Sequence, residues 1–124
     1  MLTITLSVEI HFTSNASRSG KMNDEYVAYI DIDLEDLIPD FLNNRRKDVV
    51  QIGQLLCDGN LQEIRRLGHS MKGSGGGYGF DEVGEIGGKI EAAALAGDTT
   101  VIEKQVEALS EYVANVKIVW QEEE

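Results

Sequence analysis

"LGHSMKGSGGGYGF", Leu67–Phe80, places one of the chain's two histidines beside a lysine and then five glycines in seven residues. If a helix ends before the glycines, the stretch is a loop. If the helix runs through them, one flank beside His69 has almost no side chains. Upstream spacing supports the second reading. At roughly 100° per residue, Leu67, Met71 and Tyr78 fall within about 60° of Ile64, with Gly68 and Gly75 on the same side. His69 lies about 140° away, so it is expected to point outward. Its helical neighbours are then Arg65 at i−4, Lys72 at i+3, Gly73 at i+4 and Gly76 at i+7, with Gln62 one turn beyond Arg65. Each glycine in a helix costs about 1 kcal/mol relative to alanine. Such a cost beside a reactive imidazole points to something large that must reach His69. The alternative is a helix C-terminus fraying into a loop.

From this stretch outward the pattern stays helical. Pro39 suits a first turn, and Phe41, Leu42, Val49, Ile52 and Leu56 line one face of a first helix that "DGN" stops. The second helix starts near Leu61. Asp81 is placed to cap a third, whose stripe is Val83, Ile86, Ile90, Ala93 and Ala94, and Gly97 ends it. Asp98 caps a fourth, with Ile102, Val106, Leu109, Val113 and Val116 facing inward. Short connections between these helices favour antiparallel neighbours. The fold expected is all-α: an antiparallel up-down four-helix bundle with a short N-terminal β-strand or hairpin appended. Two segments carry the β signal. Leu2–Phe12 alternates apolar and polar residues without a miss, and "YVAYIDI" from Tyr26 is β-like. The β-branched "VKIVW" after the fourth helix suits a short strand against Tyr26–Ile32. Residues 1–25 are thus expected to be an extension of strand plus linker, 26–120 the bundle, and 121–124 an acidic tail. Met22 is a second candidate start, which would leave residues 1–21 outside the functional unit.

Composition excludes several classes. The chain has 124 residues and a net charge of −11, which disfavours nucleic acid and anionic membrane as partners. No apolar run is long enough to span a bilayer, and the N-terminus lacks a basic n-region. The single Cys57 fits a reduced, cytoplasmic setting and is expected to be a small buried residue on its helix. The sequon at Asn15 carries no meaning without secretion.

The glycine-rich stretch also fails other readings. A phosphate-cradling loop needs its lysine after the last glycine and a strand in front, whereas Lys72 precedes the glycines and a helix leads in. No G-x-G-x-x-G can be placed. A metal site would group ligands at i+3 or i+4 from His69, where Lys72 and Gly73 stand, so no metal is assigned. No serine or cysteine has a placeable base. Imidazole itself remains a nucleophile that is largely neutral at cellular pH. A neutral ring beside an ammonium suits acceptance of a phosphoryl group.

His69, Lys72, Gly73 and Gly79 reproduce H-x-x-K-G-x-x-x-x-x-G, and the chain from about Leu34 to Val116 resembles the histidine phosphotransfer (HPt) domain family. The resemblance implies a phosphocarrier without autokinase activity, holding phosphate on Nε2 of His69 and exchanging it with the aspartate of a response-regulator receiver domain. It implies no cofactor on this chain, Mg²⁺ on the receiver, and a histidine kinase as the other partner. Lys72 and Arg65 would support the phosphate, while Gly68, Gly73, Gly76 and Gly79 would be motif and clearance glycines. Arg66 reads better as a solvated charge. Two alternatives stand beside this reading. One is the phosphoacceptor of a chemotaxis-type kinase. The other is a docking module without phosphate, with Leu2–Phe12 pairing two copies in a homodimer.

Overall fold

The computed structural model describes residues 26–122. The strand expected at Leu2–Phe12, and the homodimer built on it, lie outside the described residues, as do Glu123 and Glu124. A five-residue strand, β1 (Val27–Asp31), leads through a 3₁₀ segment at Ile32–Leu37 into four helices. These are α1 (Ile38–Asp58), α2 (Leu61–Tyr78), α3 (Asp81–Ala96) and α4 (Thr99–Asn115), and the chain closes on β2 (Lys117–Gln121). The fold is therefore the helical bundle expected, with a small sheet at one end.

The connections follow from local chemistry. Gly59, Gly79 and Gly97 end the first three helices at φ of 72°, 93° and 76°. That left-handed geometry is one glycine adopts without steric cost. Asn60 Oδ1 accepts from the Glu63 amide at 3.1 Å to cap α2, and Asp98 Oδ1 accepts from Val101 at 3.2 Å to cap α4. The cap expected at Asp81 is displaced by one residue. Phe80 occupies the cap position of α3, with no side-chain hydrogen bond, and Asp81 sits in the first turn. Packing explains the shift. The Phe80 ring is fully buried and stacks on Phe41 at 4.8 Å, so the chain turns where that ring enters the core.

β1 and β2 pair in parallel, Val27 opposite Lys117 and Ile30 opposite Trp120. Parallel strands need a long crossover, and here the crossover is the bundle itself. The sheet fastens the two ends of the bundle together and is no hairpin. Ala28, Ile30 and Ile118 turn inward and join Ile38, Ile52, Ile64, Met71, Ile90, Ile102 and Leu109 in one aliphatic core. Val49, Leu56, Leu67 and Tyr78 pack at its margin, half-buried. Cys57, expected inside, is exposed. It lies about 140° round α1 from the fully buried Ile52, off the apolar stripe.

Helices α2 and α3 approach most closely because both present glycine to the other. A Cβ on Gly68 would stand 2.7 Å from the Glu91 amide nitrogen and 2.8 Å from the Gly87 oxygen. One on Gly87 would stand 2.6 Å from the Lys72 nitrogen. Gly75 repeats the arrangement further along, where a Cβ would strike the Gly84 backbone. No side chain fits between the two backbones at these points.

Candidate functional site

α2 runs unbroken to Tyr78, so the glycine run is helix and not a frayed loop. The buried residues of this helix are Ile64, Gly68, Met71 and Gly75, which leaves His69 on the outer flank with its side chain 72% exposed. A Cβ on Gly73, Gly76 or Gly77 would meet nothing within 4 Å. The surface beyond the imidazole, toward the C-terminus of α2, is thus bare helix backbone.

The sequence reading missed Glu91. From α3 its Oε2 lies 3.0 Å from His69 Nδ1. A carboxylate only accepts, so Nδ1 carries the proton and a neutral ring keeps its lone pair on Nε2. That nitrogen makes no hydrogen bond among the described residues. Lys72 Nζ stands 4.0 Å from Glu91 Oε1 and is 60% exposed, free to swing toward a group on His69. One half-buried carboxylate thus touches the imidazole and neighbours the ammonium. The contact spans 22 positions of sequence. The i+3 and i+4 spacings that identified Lys72 and Gly73 do not reach across helices, and the only sequence signal was a lone glutamate on the helix that follows.

Beside the ring lies a cavity of about 570 Å³ whose lining includes Gln62, Arg65, Arg66, His69 and Glu91. The two arginines differ. Arg66 is held by Glu63, with its Nε at 2.9 Å from Glu63 Oε2. That hydrogen bond raises the arginine further and lowers the glutamate below its ordinary value. Arg65 has no carboxylate partner among the described residues. It is a cation at the edge of the site with its donors uncommitted.

The four glycines named from the sequence separate into three kinds. Gly73 and Gly76 open the surface by His69. Gly68 faces the other way, against α3, where it lets Glu91 come close. Gly79 ends the helix, and a Cβ there would stand 3.1 Å from Ile30 Cδ1. Among the described residues no three His, Cys, Asp or Glu side chains gather as a metal site. No helix among them is long and apolar enough to cross a membrane.

The site is thus an exposed imidazole with one nitrogen tethered and the other open, flanked by cations and bare backbone. No curated protein and no solved structure matches the chain. The model of the Hpt domain matches residues 36–118, well over half of the sequence and all four helices, and the chain belongs to that family of histidine phosphotransfer domains.

Proposed function

We propose that the chain is a phosphocarrier of a His–Asp relay, accepting a phosphoryl group on Nε2 of His69 and passing it to or from the aspartate of a receiver domain. The observation that carries this reading is the tethered, solvent-facing ring: Nδ1 on Glu91, Nε2 open. The lone pair on Nε2 attacks the phosphorus of the aspartyl phosphate. The bond from phosphorus to the carboxyl oxygen breaks, and its electron pair leaves with the receiver's carboxylate. The proton stays on Nδ1, and Glu91 balances the positive charge that the ring acquires. Such transfer is mostly positioning and charge neutralisation, so a helical flank without a deep pocket suffices. Mg²⁺, held by the receiver's carboxylates, would supply charge neutralisation on the partner's side. Lys72 and Arg65 screen the phosphoryl oxygens, each contributing about 0.3–1 kcal/mol on so exposed a surface. They also offset the acidity of a chain that must meet an acidic receiver. A cytoplasmic setting fits the exposed thiol of Cys57.

Incubation with a phosphorylated receiver should label the chain, and His69→Gln should abolish labelling while helical content is unchanged. A labelled His69→Gln protein would end the proposal. Labelling by a separate kinase ATP-binding domain, and not by receivers, would instead identify a chemotaxis-type phosphoacceptor. ATP alone should give no label.

A further inference from the structure

Along the flank that carries His69, α2 and α3 run antiparallel and keep one register. A Cβ on Gly84 would stand 3.5 Å from the Gly76 nitrogen, and one on Gly88 would stand 3.6 Å from Lys72 Cδ. Glu91 meets His69 at 3.0 Å. Each step of three or four residues forward on α3 is thus the same step backward on α2. The next such step sets Leu95 level with Arg65. Leu95 follows Gly84 by eleven positions and Gly88 by seven, so at roughly 100° per residue it lies within about 20° of both around α3. It stands about 6 Å beyond Glu91 along the helix.

Leu95 is the most exposed large apolar side chain among the described residues, at 71%. One exposed leucine means little by itself. Its place in the register is the second observation, because the face around His69 has two unlike ends. At one end Gly76 and Gly84 leave both backbones bare. At the other, Leu95 stands out from α3 level with Arg65, a cation without a carboxylate partner among the described residues. Bare backbone lets a partner come close but gives it little to grip. Removing a leucine from water is favourable wherever the partner offers apolar surface.

We infer that Leu95 is a specificity-determining residue for the receiver domain, seating in an apolar depression beside the phosphorylated aspartate. The inference rests on the function proposed above and adds to it the chemistry of the surface that must meet this end of the site. Leu95 takes no part in phosphoryl transfer. It fixes which way round the two proteins meet, with the glycine end left for the bulk of the receiver. A receiver carrying a charged group at that place would have to bury it unpaired against the leucine, so the same contact selects among receivers.

The test measures transfer to the whole chain from the phosphorylated receiver that labels it fastest in a panel, over a range of receiver concentrations. Leu95→Gln keeps size and helix propensity and adds no charge. It should raise the receiver concentration giving half-maximal rate about tenfold, the ratio that corresponds to burying one leucine. The maximal rate should stay at the parent's value, and Leu95→Met should restore the parent's KM. Phosphoramidate, a small donor with no surface to dock, should label His69 of parent and variant alike. Val50→Gln, at another exposed apolar position but on α1, should change nothing. An unchanged KM in Leu95→Gln, an equal rise in Val50→Gln, or a loss of phosphoramidate labelling in Leu95→Gln would overturn the inference while the parent still takes label from the receiver. A parent chain that no receiver labels would overturn the proposed function and this inference together.

Discussion

The two flanks of α2 use the same residue for opposite ends. On the inner flank Gly68 and Gly75 are buried against α3, where an added Cβ would collide with backbone. On the outer flank Gly73, Gly76 and Gly77 face open space. Glycine lowers helix stability equally on both, so the difference lies in what fills the vacated volume. Inside it is another helix, and the gain is packing. Outside nothing among the described residues fills it, and the vacancy leaves room for the docking partner proposed above. The flanks are also coupled. The backbone atoms that a Cβ on Gly68 or Gly87 would strike include those of Glu91 and Lys72, two of the groups that surround His69. Close packing on the inner flank is what brings Glu91 to Nδ1 on the outer one.

The largest effect should come from the inner flank. Gly68→Ala forces a methyl group to within 2.7 Å of the Glu91 nitrogen, against rigid backbone. Overpacking of this kind costs about 1–3 kcal/mol, more than the helix propensity that alanine restores. Chemical denaturation should show a lower midpoint, and phosphate acceptance should fall with it as Glu91 is pushed away. A stabilised Gly68→Ala protein would show that the two helices are not locked at this point.

Gly76→Leu should move stability the other way. A Cβ there meets nothing within 4 Å, and replacing an exposed helical glycine with leucine stabilises by up to about 1 kcal/mol. Transfer from a receiver should slow about tenfold, because docking now meets a side chain. Unchanged transfer kinetics with a raised Tm would mean that the outer glycines do not serve access, and the contrast between the flanks would lose its functional half.

Much of this was legible in the sequence. The period placed His69 outward and Gly68 and Gly75 inward, and Gly59, Gly97 and Asp98 gave helix ends that the structure reproduces. These are local signals, set within one or two turns. The pairing of the β-branched run after α4 with Tyr26–Ile32 was legible too, and what escaped were side-chain contacts between helices. Glu91 reaches His69 only because α2 and α3 touch, and no periodicity within either helix encodes that distance. The start of α3 moved from Asp81 to Phe80 because a ring entered the core, so tertiary packing overrode a good capping residue. Cys57 was assigned by residue type, when its angle from Ile52 already placed it outside.

Glu91 offers a finer test of the coupling between flanks. Glu91→Ala keeps α3 helical but frees Nδ1, so the proton on His69 is no longer fixed there. Nitrogen-15 shifts should reveal the second tautomer, and transfer should slow about fivefold, matching the loss of about 1 kcal/mol from an exposed charged hydrogen bond. If the tautomer does not change, Glu91 is a bystander.

The smallest effect concerns the border between the flanks. Ser74 sits between Gly73 and Gly75, and Arg45 of α1 donates to its Oγ at 3.2 Å. Arg45 also lies over the Phe41 ring at 4.8 Å and pairs with Asp48 at 2.9 Å. This pinned arginine steadies the glycine run from outside α2. Burial raises the Asp48 carboxyl above its ordinary value of 3.8, and attraction to Arg45 offsets this only in part. A raised carboxyl binds its proton more tightly in the folded chain than in the unfolded one. Its contribution to stability is therefore full below the ordinary value and declines as pH rises through the raised one. Asp48→Asn removes that decline. The Tm of the variant minus that of the parent should thus grow more positive as pH rises from just below 3.8 toward neutrality. A difference that moves the other way would mean that Arg45 outweighs burial, and that the ion pair, more than the Ser74 hydrogen bond, holds this border in place.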